Sequence, residues 1–429
     1  MARPARSLSR QASVAGLLLG SLACANVGDP PGGPPDIAPP KIASVRPESG
    51  AVVPTWNGDA VIRFDEVIDE MPGGAGGAGA GGLASHVLLS PTARGAKVSW
   101  HRTSISVKPR EGWKRGRVYR LEILPGILDL RRNVLDSGKV VLFSTGPEIG
   151  HARLGGIALA WVDHRILPRA LIEAVPLPDS LGYLTLADSG GQFDLQGLTP
   201  GRYIVYATMD ENSDRRRGAR ESYDSTLVTL DSSSNVALYT FVHDTVPPRL
   251  RTGSAIDSVS IRLEFSQPLD AAAPVDSTNI HVFALPDSAA VPIASILTQR
   301  QFDSLATIAR QKADSAAPKD TTGGGRQRVA PREQPQGRRP STVQVDTSLV
   351  RRLLAQRPVP SDKIVLTFAR RLKIDTRYLI RVAGATSLTG KKGDGQVVVL
   401  IPKPAPADTT RRAPTPDSLA PPPRPKPPR

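Results

Sequence analysis

The 429-residue sequence has a single cysteine, Cys24, which excludes a disulfide framework and every zinc site built on thiolates. Its six histidines are scattered along the chain, with no two spaced as ligands on one helix face. Aromatic residues make up only 4%, so little remains for an aromatic cleft once cores are filled. No serine stands in a nucleophile-elbow context. The glycine-rich run 72–82 lacks the Gly-Lys-Ser/Thr ending of a phosphate loop. No apolar run reaches the about 20 residues that a membrane-spanning helix needs. These absences point away from an enzyme, and no catalytic residue or bound cofactor is expected.

Proline (41) and glycine (38), by contrast, stand well above the about 12% that the two make up in an average chain. Part of the chain should therefore be extended or disordered. The net charge is +15, a basic balance that invites a nucleic-acid reading. Its distribution argues otherwise. Residues 1–23 carry three arginines and no acid, 299–358 hold 12 basic and 5 acidic residues, and 403–429 hold 6 and 2. The rest is nearly neutral, with 34 basic and 33 acidic residues. The two later basic stretches contain one aromatic, Phe302, so bases would find little to stack on. No nucleic-acid partner is expected.

Arg3, Arg6 and Arg10 precede an apolar stretch, Ala12 to Ala23, that ends Gly20-Ser21-Leu22-Ala23-Cys24. A basic start, a short apolar segment and a small residue before the cut describe a secretory signal over 1–23. The Ala23-Cys24 ending resembles the lipobox of bacterial lipoproteins, with Ser21 where that family usually has Leu. The resemblance implies cleavage before Cys24 and acylation of that residue, several acyl chains making a stable membrane anchor. Ala25 is not the Asp that retains such lipoproteins in an inner membrane, so an outer-membrane address is expected, on either face. Residues 24–40, with six prolines, read as a semi-rigid tether.

From 41 to 147 the pattern is one of short strands between turns: Ala60–Phe64, Val87–Leu89, Lys97–Trp100, Ser104–Val107, Val118–Ile123 and Val140–Phe143. This spacing predicts an antiparallel sandwich. The segments Ala38-Pro39-Pro40-Lys41, Arg46-Pro47-Glu48-Ser49-Gly50-Ala51, Ile62-Arg63-Phe64-Asp65-Glu66 and Tyr119–Ile123 resemble the SbsA-type bacterial Ig-like domain. Over 148–245, Asp188-Ser189-Gly190-Gly191-Gln192-Phe193-Asp194-Leu195 and Gly197-Leu198-Thr199-Pro200-Gly201-Arg202-Tyr203 place tight turns ahead of strands. They resemble the prealbumin-like sandwich of carboxypeptidase regulatory-like domains, which implies a non-catalytic spacer or ligand platform. Residues 246–402 repeat the first module. Val246-Pro247-Pro248-Arg249, Ser260–Phe265, Lys363–Thr367 and Tyr378–Val382 echo their counterparts in order. Between the halves, 299–358 reads as a disordered insert in which two short helical patches with narrow apolar stripes can form, Gln301–Lys312 and Thr347–Gln356. Residues 403–429, with ten prolines, read as a disordered tail. The expected fold class is all-β, with three tandem β-sandwich modules (Ig-like, prealbumin-like, Ig-like).

One site-like pattern stands out. Asp210, Asn212, Asp214 and Glu221 occupy the first, third, fifth and twelfth places of a calcium-loop spacing. The sixth place, where such a loop wants glycine, is Arg215, followed by Arg216 and Arg217. A salt-bridged surface loop is the alternative. Asp65-Glu66 and Asp69-Glu70 read as solvated, and Trp56, Trp100, Trp113 and Trp161 read as packing residues before sugar platforms. The expected function is a non-catalytic, membrane-anchored envelope lipoprotein presenting its modules to an envelope protein or polymer. The alternative is a calcium- or glycan-binding accessory module for an extracytoplasmic hydrolase or transport complex.

Overall fold

The computed structural model describes residues 36–70, 82–316 and 347–403. The expected signal region, Cys24, most of the expected tether and residues 404–429 of the expected tail lie outside the described residues. No helix among the described residues is long and apolar enough to cross a membrane.

The chain is all-β apart from short helical pieces. The first module holds β1 (Ile42–Arg46), β2 (Ala60–Phe64), β3 (Val87–Ser90), β4 (Ala96–Trp100), β5 (Ser104–Pro109), β6 (Val118–Ile123) and β7 (Lys139–Ser144). In β2 the residues Ala60, Ile62 and Phe64 are buried while Arg63 is exposed, the period-two alternation of a half-buried strand. An antiparallel sheet of order β1-β2-β5-β4 faces a second of order β3-β6-β7. Ile62, Ile105, Tyr119, Leu121 and Phe143 fill the space between them. Trp113 sets its ring edgewise on Tyr119 at 4.8 Å and donates from Nε1 to the Gly58 carbonyl at 2.7 Å. Trp56 and Trp100 pack against the same core.

The middle module comprises β8 (Ala152–Ala160), β9 (Arg165–Ile166), β10 (Leu171–Pro176), β11 (Tyr183–Leu186), β12 (Gln192–Leu198), β13 (Gly201–Thr208), β14 (Ser222–Leu230) and β15 (Ser233–Val242). The strands run in the order β11-β10-β13-β14-β15-β8-β12, around a core that includes Leu154, Ile172, Tyr203, Val205 and Leu238. β14 and β15 meet only where Ser222 and Tyr223 oppose Val242 and Phe241. β15 then pairs in parallel with β8, from Ser233 opposite Arg153 to Thr240 opposite Ala160.

The third module contains β16 (Leu250–Asp257), β17 (Ser260–Leu269), β18 (Ile280–Ala284), β19 (Ala289–Ala290), β20 (Ser295–Thr298), β21 (Ser361–Thr367), β22 (Arg377–Thr386) and β23 (Lys392–Leu400). Its sheets, β16-β17-β21-β20 and β19-β18-β22-β23, repeat the first module strand for strand, with the β19 hairpin added. The repeat reaches single bonds. The Tyr119 hydroxyl accepts the Lys114 amide at 2.8 Å, and the Tyr378 hydroxyl accepts the Lys373 amide at 2.8 Å.

The two copies diverge at one connection. The first passes from β4 to β5 through residues 101–103, whereas the third passes from β20 to β21 through 299–360. At both ends of that excursion, the two patches expected as possible helices are helical, and longer order replaces disorder there. Helix α1 spans Gln299–Ala316 and helix α2 spans Thr347–Gln356; residues 317–346 lie outside the described residues. Thr298 and Gln301 start α1 as a reciprocal cap. The Gln301 amide donates to Thr298 Oγ1 at 3.3 Å and the Thr298 amide to Gln301 Oε1 at 2.8 Å. What orders α2 is a face of the middle module. β8 is apolar on both sides: Leu154, Ala158 and Ala160 face the inner core, while Ile157 and Leu159 point outward, where Val350, Leu353 and Leu354 of α2 cover them.

Candidate functional site

The 210–221 loop runs from the end of β13 into β14, and its side-chain oxygens turn onto its own amides. Asp210 Oδ1 accepts the Asp214 amide and Oδ2 the Arg215 amide, each at 3.1 Å. Asn212 Oδ1 accepts the Asp214 amide at 2.9 Å, and Asp214 Oδ1 accepts that of Arg216 at 2.8 Å. Glu221 accepts the amides of Glu211 at 3.2 Å and Gly218 at 2.7 Å. Arg215 holds the left-handed φ of 61° that a glycine would take at this sixth place, and its Nη1 lies 3.7 Å from Asp210 Oδ2. Burial pushes the Asp210 carboxyl above its ordinary range despite the Arg215 amide and guanidinium beside it. Burial likewise lowers the Arg215 guanidinium. The structure thus brings Asp210, Asn212 and Asp214 into one turn with Glu221 closing its far end.

Arg215 also reaches outward. Its Nη2 donates to the Ser85 carbonyl at 2.9 Å, in the 3₁₀ turn Gly82–His86 of the first module. The loop is therefore a latch between modules. His86, in the same turn, sits with its Nδ1 3.0 Å from the Pro125 carbonyl, and burial lowers its pKa below 6.5, with Arg169 and Arg215 adding to the effect.

A polar cluster joins the same two modules where β11 lies against β3 and β6. Arg120 is 2% exposed. It donates to Glu122 Oε2 at 3.0 Å, to the Leu184 carbonyl at 3.3 Å and to Thr185 Oγ1 at 3.4 Å. Thr185 Oγ1 donates to the same Glu122 oxygen at 2.9 Å, and the Leu184 amide donates to Ser90 Oγ at 3.0 Å. Arg117 pairs with Asp179 at the edge of this cluster. Closer to the linker, Gly197 approaches so tightly that a Cβ there would lie 2.3 Å from Leu142 Cδ1. A cleft of about 690 Å³ opens beside it, lined by Glu148, His151, Arg153 and Gln196 among others. A second cleft, of about 340 Å³, lies between the middle and third modules against Met209, Phe241, Pro268 and Leu388.

Sequence reasoning missed the Arg120 cluster. The signal was available: Arg120 and Glu122 are two apart on a strand and so share one face, opposite to the core-facing Tyr119 and Leu121. Both faces of β6 are buried, which alternation alone does not reveal. Also missed was a carboxylate trio. Among the described residues, Asp36, Glu66 and Asp129 bring oxygens within 4.8 Å of one another, the arrangement that could hold a cation. Asp65 of the pair read as solvated accepts the Lys41 amide at 2.7 Å. Asp129 accepts the amides of Arg131 at 2.8 Å and Asn133 at 2.7 Å, and Asn133 Nδ2 at 2.6 Å. Burial opposes these bonds, but together they hold its carboxyl below the ordinary range. Glu66 is shifted upward by desolvation and then by Asp129, Asp36 and Asp65. Cys24, the expected lipidation position, lies outside the described residues.

Among solved structures, an L,D-transpeptidase from Mycobacterium smegmatis is 17% identical over 40% of this chain and 77% of its own, with a TM-score of 0.18. A shaft pilin from Lactobacillus rhamnosus GG is 12% identical over 33% and 68%, at 0.18. The major pilin subunit of Bacillus cereus is 10% identical over 47% and 70%, at 0.17. No curated protein matches the sequence. Residues 36–145, the first module with the last of the tether, match the family model of the bacterial Ig-like domain.

Proposed function

We propose that the chain is a non-catalytic envelope protein, anchored through an acylated Cys24, that holds its first two β-sandwich modules in a fixed relation, ties the third to them through α2, and presents all three to an envelope protein or polymer. The observation that carries this reading is the way the modules are joined. Arg120, Glu122, Thr185 and Ser90 fasten the first to the middle, Arg215 adds a latch, and α2 fastens the third to the middle. Buried polar junctions of this kind fix orientation, which suits display and spacing. The bacterial Ig-like match over 36–145 and the lipobox-like Ala23-Cys24 support an extracytoplasmic setting, with the outer membrane as the proposed address. The basic residues of 299–358 and 403–429 supply a salt-sensitive attraction to anionic envelope surfaces.

The test has two arms. The Cys24→Ala chain is expected to lose palmitate labelling and leave the membrane fraction; retention there would overturn the anchor. The acyl-free chain 25–429 is expected to cosediment with isolated envelope polymer at low salt and to lose most of that binding at several hundred millimolar. Equal recovery with and without polymer at low salt would overturn the display role.

A further inference from the structure

α2 does not belong to the core of the module that encodes it. It leaves β21 through only four residues, 357–360, and lies across the outer face of β8 and β15. Val350, Leu353 and Leu354, spaced i, i+3 and i+4, form its apolar face. They meet Ile157, Leu159, Trp161, Ile166, Ala237 and Tyr239. The middle module also caps the helix. Tyr239 Oη donates to the Leu353 carbonyl at 2.9 Å, and His164 Nε2 lies 3.4 Å from the Leu354 carbonyl. Both are among the last-turn carbonyls that a helix cannot satisfy alone. Just beyond the helix, the Arg357 guanidinium stacks over Tyr239 at 4.4 Å and reaches toward Trp161 at 5.7 Å. The face therefore recognises an amphipathic helix in three ways: an apolar furrow, donors at its C-terminal end, and aromatic rings for the following cation.

The fit is specific but not tight. Ten residues are fewer than an isolated helix needs to persist in water, so α2 depends on the face it covers. Leu354 is its one buried side chain among those described. Within the same cluster, Trp161 Nε1 is buried with no hydrogen-bond partner, a desolvation cost that no bond at this face offsets. We propose that the outer face of β8 and β15 is a helix-recognition site that α2 fills in cis as a displaceable strap, so that an equivalent amphipathic helix supplied in trans exchanges with it. When α2 leaves, the third module loses this tie to the middle one and pivots on the 243–248 linker. The helix of a second copy of the chain has the matching pattern, Val-x-x-Leu-Leu-x-x-Arg.

Hydrogen exchange on the full chain tests displacement. Amides of 351–356 are expected to exchange at least tenfold more slowly than in a synthetic 345–358 peptide, yet at least a hundredfold faster than those of β8 and β15. Exchange at the peptide's rate would show that α2 is not docked, and exchange in step with β8 would show that it is a permanent core element; either overturns the proposal. Recognition is tested with the Leu353→Asp/Leu354→Asp chain, whose Trp161 emission should move to the red. Adding the 345–358 peptide in trans should reverse that shift, and the same peptide should do nothing to a Trp161→Phe version. No reversal, or an equal response without Trp161, would overturn recognition. If the double variant fails to fold, Val350→Ala is expected to speed α2 exchange several-fold while leaving β8 unchanged, and an unchanged α2 rate overturns the proposal.

Discussion

Replacing Arg120 by alanine is the sharpest test of how the first two modules are joined. The Arg120 side chain is 3% exposed, and that of its partner Glu122 is 14% exposed. Removing the arginine leaves a carboxylate in the junction with only Thr185 Oγ1 donating to it. Breaking a buried pair from one side costs about 3–5 kcal/mol. At about 4–8 °C per kcal/mol for domains of this size, the transition of the affected modules should drop by at least about 10 °C. Replacing both partners, Arg120→Met with Glu122→Leu, removes the unpaired charge and should return stability to within about 1 kcal/mol of the parent. Urea unfolding followed by the fluorescence of Trp56, Trp100 and Trp113, all packed in the first module, measures both variants on the full chain. A single variant within about 1 kcal/mol of the parent, or a double variant as weak as the single, would refute the assignment of Arg120 as a buried, paired charge.

Gly197→Ala should cost about 1–3 kcal/mol, because φ there is +77° and the new methyl would meet Leu142; in a Leu142→Ala background the cost should shrink, and an unchanged cost would discount the contact. Acidification should weaken the first junction. His86 is held neutral by burial, below 6.5, so the unfolded chain takes up the proton first; the contribution is present above that pH and is lost as pH falls through it. The urea midpoint should drop between roughly pH 7 and 5, and a His86→Gln chain with the same pH slope would count against this cause. Calcium at millimolar concentration should leave the parent's melting temperature unchanged, since Asp210 is engaged by two amides and Arg215. Arg215→Gly, which restores the sixth-place glycine and removes the cation, should gain a calcium-dependent rise; binding heat from the parent would contradict this.

Much of the architecture was readable because strands with one buried face write a period of two into the chain. Ala60–Phe64 and Tyr378–Val382 announce themselves in this way, and the likeness of the first and third segments follows from the same spacing. Surfaces that are buried on both sides defeat that reading. β6 hides Arg120 and Glu122 on a face that looks solvent-bound until β11 covers it. β8 reads as a plain apolar run because α2, nearly 200 residues later, supplies its second cover. The stripe of Thr347–Gln356 was visible, but nothing local says that its partner is in another module. That Asp210, Asn212, Asp214 and Glu221 share one loop was legible from their spacing. Their outward link through Arg215 to Ser85 was not, because a contact across 130 positions leaves no mark on either end.

The parallel ladder between β8 and β15 has a mechanical consequence. These are the entry and exit strands of the middle module, lying side by side and hydrogen-bonded from Arg153 to Thr240. A pull applied to the chain on either side of the module draws the start of β8 and the end of β15 in opposite directions along their length. All the rungs then bear the load together in shear, where an antiparallel pair pulled from one end would open a rung at a time. A module wired in this order resists extension far better than its thermal stability alone would suggest.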